Sequence, residues 1–137
     1  MIFTKSAIPD VLIIEPEPRG DSRGYFARIF AKEELEREGV TYDIVHVNRS
    51  MTEEKGTIRG MHRQIAPKEE DKIVQCLNGS IFDVALDLRK DSPTYGKWVG
   101  EILSAENKKM LLIPKGFAHG FQTLEDNTTV LYYMNTE

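Results

Sequence analysis

The chain has 137 residues, room for one domain with a sizeable core and too few for two of ordinary size. Its formal net charge of −4 argues against a general nucleic-acid binder, which carries a basic excess, but not against an anionic small molecule, because a local pair of arginines binds phosphate whatever the overall sign. A single cysteine, Cys76, excludes an intrachain disulfide and a cysteine-based zinc cluster. It sits in the apolar run Ile73-Val74-Gln75-Cys76-Leu77 and reads as a buried core thiol. The N-terminal stretch has no long apolar segment, and no apolar run approaches ~18 residues, so no membrane partner is expected and the protein is expected to work in the cytoplasm.

In chain order, Val11–Ile14 is a short apolar strand signal closed by Glu15-Pro16-Glu17-Pro18. Tyr25–Phe30 is a second, entered through the turn-like Arg19–Gly24. The one good helix runs from Ala31 to about Glu38, rich in Glu and Leu, and stops at Gly39. Strand signals then crowd together at 43–50, 57–64, 72–77, 80–88, 97–103, 109–113, 116–124 and 128–134. The breaks between them are turn-like, and Asn78-Gly79 between two apolar runs predicts a two-residue hairpin. In Ile81–Leu88 the alternation puts Asp83 and Asp87 on one face with Ile81 and Ala85, so that face is not plain solvent. About ten short strands spaced by about 8–12 residues predict an all-β, antiparallel sandwich or barrel with one short helix, as a single domain over 1–137.

Two segments carry chemistry. Gly56-Thr57-Ile58-Arg59-Gly60-Met61-His62-Arg63-Gln64 and Pro114-Lys115-Gly116-Phe117-Ala118-His119 match the two halves of the cupin pattern and resemble a cupin-type jelly-roll barrel. The cupin metal site resembles three His and a Glu. Here Gln64 stands at the second His position, Glu69 and Glu70 are doubtful additions, and His46 is on another strand. Two imidazoles make a poor shell for a transition metal, so no metal and no cofactor are expected. His62 is then free to act as a base. In an ideal strand Ile58, Gly60, His62 and Gln64 face one way and Arg59 the other, so Arg59 and His62 share a pocket only if a bulge intervenes, which Gly60 permits. The plain rival for His62 is a hydrogen-bonded core histidine.

At these residues the chain closely resembles the dTDP-4-dehydrorhamnose 3,5-epimerase family. The matching blocks are Asp21–Phe26, Ile58–Gln64, Lys72–Val74, Phe82–Arg89, Asp91–Trp98, Leu103–Asn107, Ile113–Phe121 and Leu131-Tyr132, in the family's order. The resemblance implies epimerisation at C3, C5 or both of a nucleotide-linked 4-keto-6-deoxyhexose, whose α-protons the C4 ketone acidifies. It implies His62 as the base, Tyr132 as the opposing acid, Lys72 as the cation at the enolate oxygen, and Asp83 as a pocket carboxylate orienting His62 or Lys72. Arg23 and Arg59 are implied at the diphosphate, Phe26 and Asn48 at the nucleotide, and His119 in the pocket wall; Gln64 joins the substrate-contacting set. A homodimer exchanging N-terminal strands is implied as well. Taken singly, each residue has a plain rival: Lys72 follows the charged Glu69-Glu70-Asp71, and Arg23 precedes a turn glycine.

Family members resembling this chain continue past the position of Glu137, and their tail carries the Asp that pairs with the base His. The expectation is therefore a truncated chain or a short relative with a less well-held His62, with Asp83 or Asp87 as a substitute partner. Arg28 stands where the family has an acidic residue, and His46-Val47-Asn48 replaces its Gln-Asp-Asn block, which leaves the nucleotide and the sugar open. Arg63 and Tyr133 also replace the usual aromatic and Lys of their motifs. Two other functions remain in view: a sugar-nucleotide binding module without turnover, and a 3,4-ketoisomerase of the same cupin group.

Overall fold

The computed structural model describes residues 1–64 and 69–135. Among the described residues twelve strands and one helix are formed: β1 (Ile2–Lys5), β2 (Leu12–Glu15), β3 (Arg19–Asp21), β4 (Gly24–Phe26), α1 (Lys32–Arg37), β5 (His46–Thr52), β6 (Ile58–His62), β7 (Lys72–Asn78), β8 (Ser80–Asp87), β9 (Trp98–Ser104), β10 (Met110–Ile113), β11 (Phe117–Thr123) and β12 (Thr128–Met134). A six-stranded sheet runs β1-β2-β10-β7-β12-β5 and a four-stranded sheet runs β6-β11-β8-β9. The pairings are antiparallel, and β3 and β4 make a separate hairpin. This is the antiparallel two-sheet architecture expected from the strand pattern, and the jelly roll expected from the resemblance to the cupin pattern.

Three local readings change. First, the Asn78-Gly79 step does not close a hairpin: β7 lies in the large sheet between β10 and β12, and β8 lies in the small sheet between β11 and β9. Gly79, at φ +80°, turns the chain from one sheet into the other at a barrel corner, and a Cβ there would meet Thr128 Oγ1 at 2.5 Å. Second, Arg19–Asp21 is a strand rather than a turn. It pairs with Gly24–Phe26, and the strand expected to run on to Phe30 ends at Phe26, where its partner ends. Phe30 instead packs edge-on against Tyr42. Third, Ile2–Lys5 forms an additional edge strand on β2.

The helix ends as its sequence requires. Gly39 has φ +82°, its N–H donates to the Glu36 carbonyl, and the Val40 N–H donates to the Leu35 carbonyl. This is a Schellman stop, with Leu35 and Val40 in one apolar cluster. Leu35 is the buried anchor of α1, and its burial is worth roughly 2 kcal/mol.

Two cores result. The main one fills the space between the sheets with Val74, Cys76 and Val130 from the large sheet and Ile81, Ala85 and Phe121 from the small one. The second lies where α1 and Tyr42 cover the outer face of β2, β7 and β10. On β8 the buried residues are Ile81, Asp83, Ala85 and Asp87, while Phe82, Val84 and Leu86 on the other face are half-buried. The face that carries the acids is therefore the inner one.

Candidate active site

A cavity of about 590 Å³ opens between the two sheets, and its wall includes His62, Arg59, Lys72, His119, Tyr132 and Asn48. The register explains how side chains scattered from 48 to 132 meet. In the large sheet Tyr132 stands opposite Asn48 on one side and Val74 on the other, and Lys72 follows two residues along on the same face of β7. In the small sheet His62 stands opposite His119.

Arg59 reaches the same cavity because β6 is irregular. His119 pairs with His62 while Phe121 pairs with Arg59, so three steps along β6 match two along β11. That offset is a bulge, and it rotates Arg59 to the side His62 occupies. Gly60 sits inside it at φ +103°, where a Cβ would come within 2.6 Å of the His119 carbonyl oxygen. The Arg59 guanidinium is held from the large sheet: Nε donates to Thr52 Oγ1 at 2.7 Å and Nη2 to the Met51 carbonyl at 3.2 Å. It thereby straps the edge of β6 to the edge of β5.

His62 is exposed and is not the core histidine of the plain reading. Among the described residues its ring has no protein hydrogen-bond partner. Lys72 is half-buried. Burial pushes its ammonium below the usual lysine range, opposed by the nearby Glu70 and Asp83. The Tyr132 phenol is pushed above its usual range, chiefly by burial; the Ser50 hydroxyl, 2.9 Å from its oxygen, and Arg59 act in the opposite direction. A phenol with a raised pKa stays protonated near neutral pH and can serve as an acid. Lys72 and Arg59 make this pocket locally cationic in an acidic protein, which suits an anionic ligand.

Asp83 is fully buried, and its Oδ1 lies 2.5 Å from His119 Nε2. The carboxylate expected to orient His62 or Lys72 thus takes His119 as its hydrogen-bond partner. Asp87 is not available to pair with His62: its oxygens accept from the Arg89 guanidinium and from the hydroxyls of Ser92 and Thr94. Arg23 and Phe26 lie on the β3–β4 hairpin outside this cavity. Arg23 Nη2 donates to Asp21 Oδ2 at 2.6 Å, and Phe26 is 79% exposed. Gln64, just past β6, is exposed and does not line the cavity. Among the described residues no group of three or more His, Cys, Asp and Glu side chains gathers to hold a metal ion. Ser50 and Thr52 are contacts that the sequence reading missed. Their signal is the polar alternation Asn48-Ser50-Thr52 on one face of β5.

The dTDP-4-dehydrorhamnose 3,5-epimerase family model matches residues 5–137. A dTDP-4-dehydrorhamnose 3,5-epimerase of Shigella flexneri is 49% identical over 136 residues, 98% of this chain and 75% of the relative. The crystal structure of the Bacillus anthracis dTDP-4-dehydrorhamnose 3,5-epimerase, with TDP and pyrophosphate bound, is similar at a TM-score of 0.96 and 46% identity, covering 99% of this chain and 78% of that one. A Legionella pneumophila dTDP-6-deoxy-D-glucose-3,5-epimerase in complex with dTDP-4-keto-L-rhamnose is similar at a TM-score of 0.93 and 42% identity, covering 99% and 72%. In sequence and in fold alike, this chain belongs to the dTDP-4-dehydrorhamnose 3,5-epimerase family.

Proposed function

We propose that this protein epimerises a dTDP-linked 4-keto-6-deoxyhexose at C3 and C5, with His62 as base and Tyr132 as acid. The observation that carries the reading is their placement: His62 projects from the small sheet and Tyr132 from the large one, so a sugar between them meets a base on one face and a phenol on the other. Inversion needs that arrangement. The His62 imidazole takes the proton from the carbon α to the ketone, and the C–H electron pair moves onto the C4 oxygen. The Lys72 ammonium stabilises that enolate oxygen. The Tyr132 hydroxyl then gives its proton to the opposite face of the carbon, and the enolate collapses to the ketone. Solvent returns the two side chains to their starting protonation. Arg59, anchored through Nε and Nη2, keeps Nη1 for an oxygen of the diphosphate.

A homodimer belongs to this reading. Val47 and Met51 on β5 and Ile58 and Met61 on β6 are exposed apolar side chains on the open edges beside the cavity, and Tyr25 and Phe26 are exposed on the β3–β4 hairpin. A second copy covers such edges and brings its own Arg23 and Phe26 to the nucleotide. Light scattering on the purified chain checks it: a monomer at micromolar concentration overturns the dimer.

The test of the activity is solvent-deuterium incorporation. In D2O, dTDP-4-keto-6-deoxyglucose acquires deuterium at C3 and C5, read by NMR. Tight binding without exchange overturns the epimerase in favour of a binding module, and a ketone moved to C3 overturns it in favour of a ketoisomerase.

A further inference from the structure

Asp83 sits behind the cavity rather than in its wall, sealed on the inner face of β8. Its Oδ2 is the one sealed side-chain oxygen or nitrogen without a partner among the described residues. Such a group costs stability, and its persistence calls for an explanation outside packing. Its Oδ1 supplies one, in its contact with His119 Nε2. A carboxylate without a proton only accepts, so a neutral ring facing it across that contact carries its hydrogen on Nε2. The other ring nitrogen, Nδ1, has no protein partner among the described residues and is not among the sealed atoms, so it opens to the cavity that His119 lines. The ring is fenced by Tyr132, edge-on at 6.4 Å between centroids, and by Phe121 at 6.2 Å.

We propose that Asp83 is a positioning residue that holds His119 in its Nε2–H tautomer, so that the bare Nδ1 accepts a hydrogen bond from a ring hydroxyl of the bound 4-keto sugar. This deepens the epimerase reading above and rests on it. The cavity then sorts the sugar's oxygens by chemistry. The ketone oxygen only accepts, and the Lys72 ammonium, which only donates, meets it. A hydroxyl beside the reacting carbon has a proton to give and needs an acceptor that cannot turn into a donor. His119 is that acceptor because Asp83, not the ring, decides which nitrogen carries the hydrogen. Substrates lacking the matching hydroxyl leave Nδ1 unpaired in a partly desolvated wall and are discriminated against.

Long-range 15N–1H correlation spectra of the whole chain at neutral pH test the assignment, with the His119 signals identified by their loss in His119→Asn. A protonated Nε2 and a bare Nδ1 are expected in the unsubstituted protein, and a protonated Nδ1 overturns the proposal. Asp83→Asn can present either an oxygen or an N–H to the ring. It is expected to let the Nδ1–H form grow and to lower kcat/KM by about tenfold, the scale of one misplaced hydrogen bond. Asp83→Asn/His119→Asn should then lose no more than His119→Asn alone. Additive losses, or an unchanged tautomer in Asp83→Asn with full loss of rate, mean that Asp83 acts only on folding and overturn the proposal. If Asp83→Asn does not fold, the spectrum of the unsubstituted chain decides. The expected tautomer in a chain that exchanges no substrate deuterium overturns the epimerase reading instead, so the two failures are distinguishable.

Discussion

Asp83 and Asp87 lie four residues apart on the same inner face of β8, both fully buried, yet the structure treats their carboxylates in opposite ways. Asp87 is saturated. It accepts from Arg89 through the backbone N–H, Nε and Nη2, and from the hydroxyls of Ser92 and Thr94. Arg89 continues to Asp10 at 2.7 Å and lies over the Phe117 ring, so the cluster ties the N-terminal loop to the end of the barrel. Burial alone would raise the Asp87 carboxyl, but those donors outweigh it and hold the acid far below the usual carboxylate range. Asp83 has one partner and one orphaned oxygen, next to the cavity. A saturated buried acid is what stability selects, and an unsaturated one just behind the wall of a cavity points to chemistry.

The functional side of the comparison is broken most severely at His62. His62→Ala is expected to cut deuterium incorporation by about 10³-fold, the usual worth of a positioned base, with little change in thermal stability because the ring is exposed. Comparable exchange in the variant would remove the base from the mechanism.

The structural side is broken next, at Asp87. Asp87→Ala takes the shared acceptor from Arg89 and two hydroxyls, and is expected to cost about 2–3 kcal/mol in urea unfolding, at the low end for a buried pair because Arg89 is a third exposed and keeps Asp10. Rates per folded molecule should hold. A stable, slow Asp87→Ala would reverse the roles given to the two acids.

The same contrast has a pH signature. Because folding lowers the Asp87 pKa, its contribution is complete above the ordinary value of 3.8 and is lost as pH falls toward the folded value. Below about pH 4 the loss approaches at most ~1.4 kcal/mol per pH unit. In Asp87→Asn that acid-side slope should shrink, which urea titrations at pH 5, 4 and 3 would read; an unchanged slope would assign it to other carboxylates.

The smallest effect expected is at Ser50. Ser50→Ala removes the hydroxyl that meets the Tyr132 phenol and lowers its pKa, so the phenol pKa should rise further while kcat falls about 2- to 5-fold. A larger loss would mean that Ser50 itself takes part in proton transfer.

Much of this was legible beforehand. Alternation located the strands from β5 to β12, and Gly39 marked the helix stop, because both depend on local periodicity and backbone freedom. That the acid-bearing face of β8 is not plain solvent was readable from Ile81 and Ala85 beside the acids, and the packing of the two sheets makes it the inner one. The need for a bulge between Arg59 and His62 followed from parity alone, and the register shift against β11 supplies it. Asn78-Gly79 misled because a turn signal states that the chain reverses, not which sheet receives it. The β3 strand was hidden because Arg19-Gly20-Asp21 has turn composition and becomes a strand only by pairing with β4.

The amino-acid sequence by itself determined the strand class, which follows from residue type and spacing, while the candidate proton-handling side chains were named by family resemblance. Only the tertiary structure decided who meets whom. The Asp83–His119 contact joins residues 36 positions apart, Phe121 rather than His119 standing directly opposite Asp83 in the ladder. The same holds for Arg59, strapped from one sheet to the other, and for Arg23 and Phe26, left outside the cavity on their own hairpin. The physical reason is that hydrogen-bond register between strands, set by bulges and sheet order, is a property of pairs of segments that no single segment encodes.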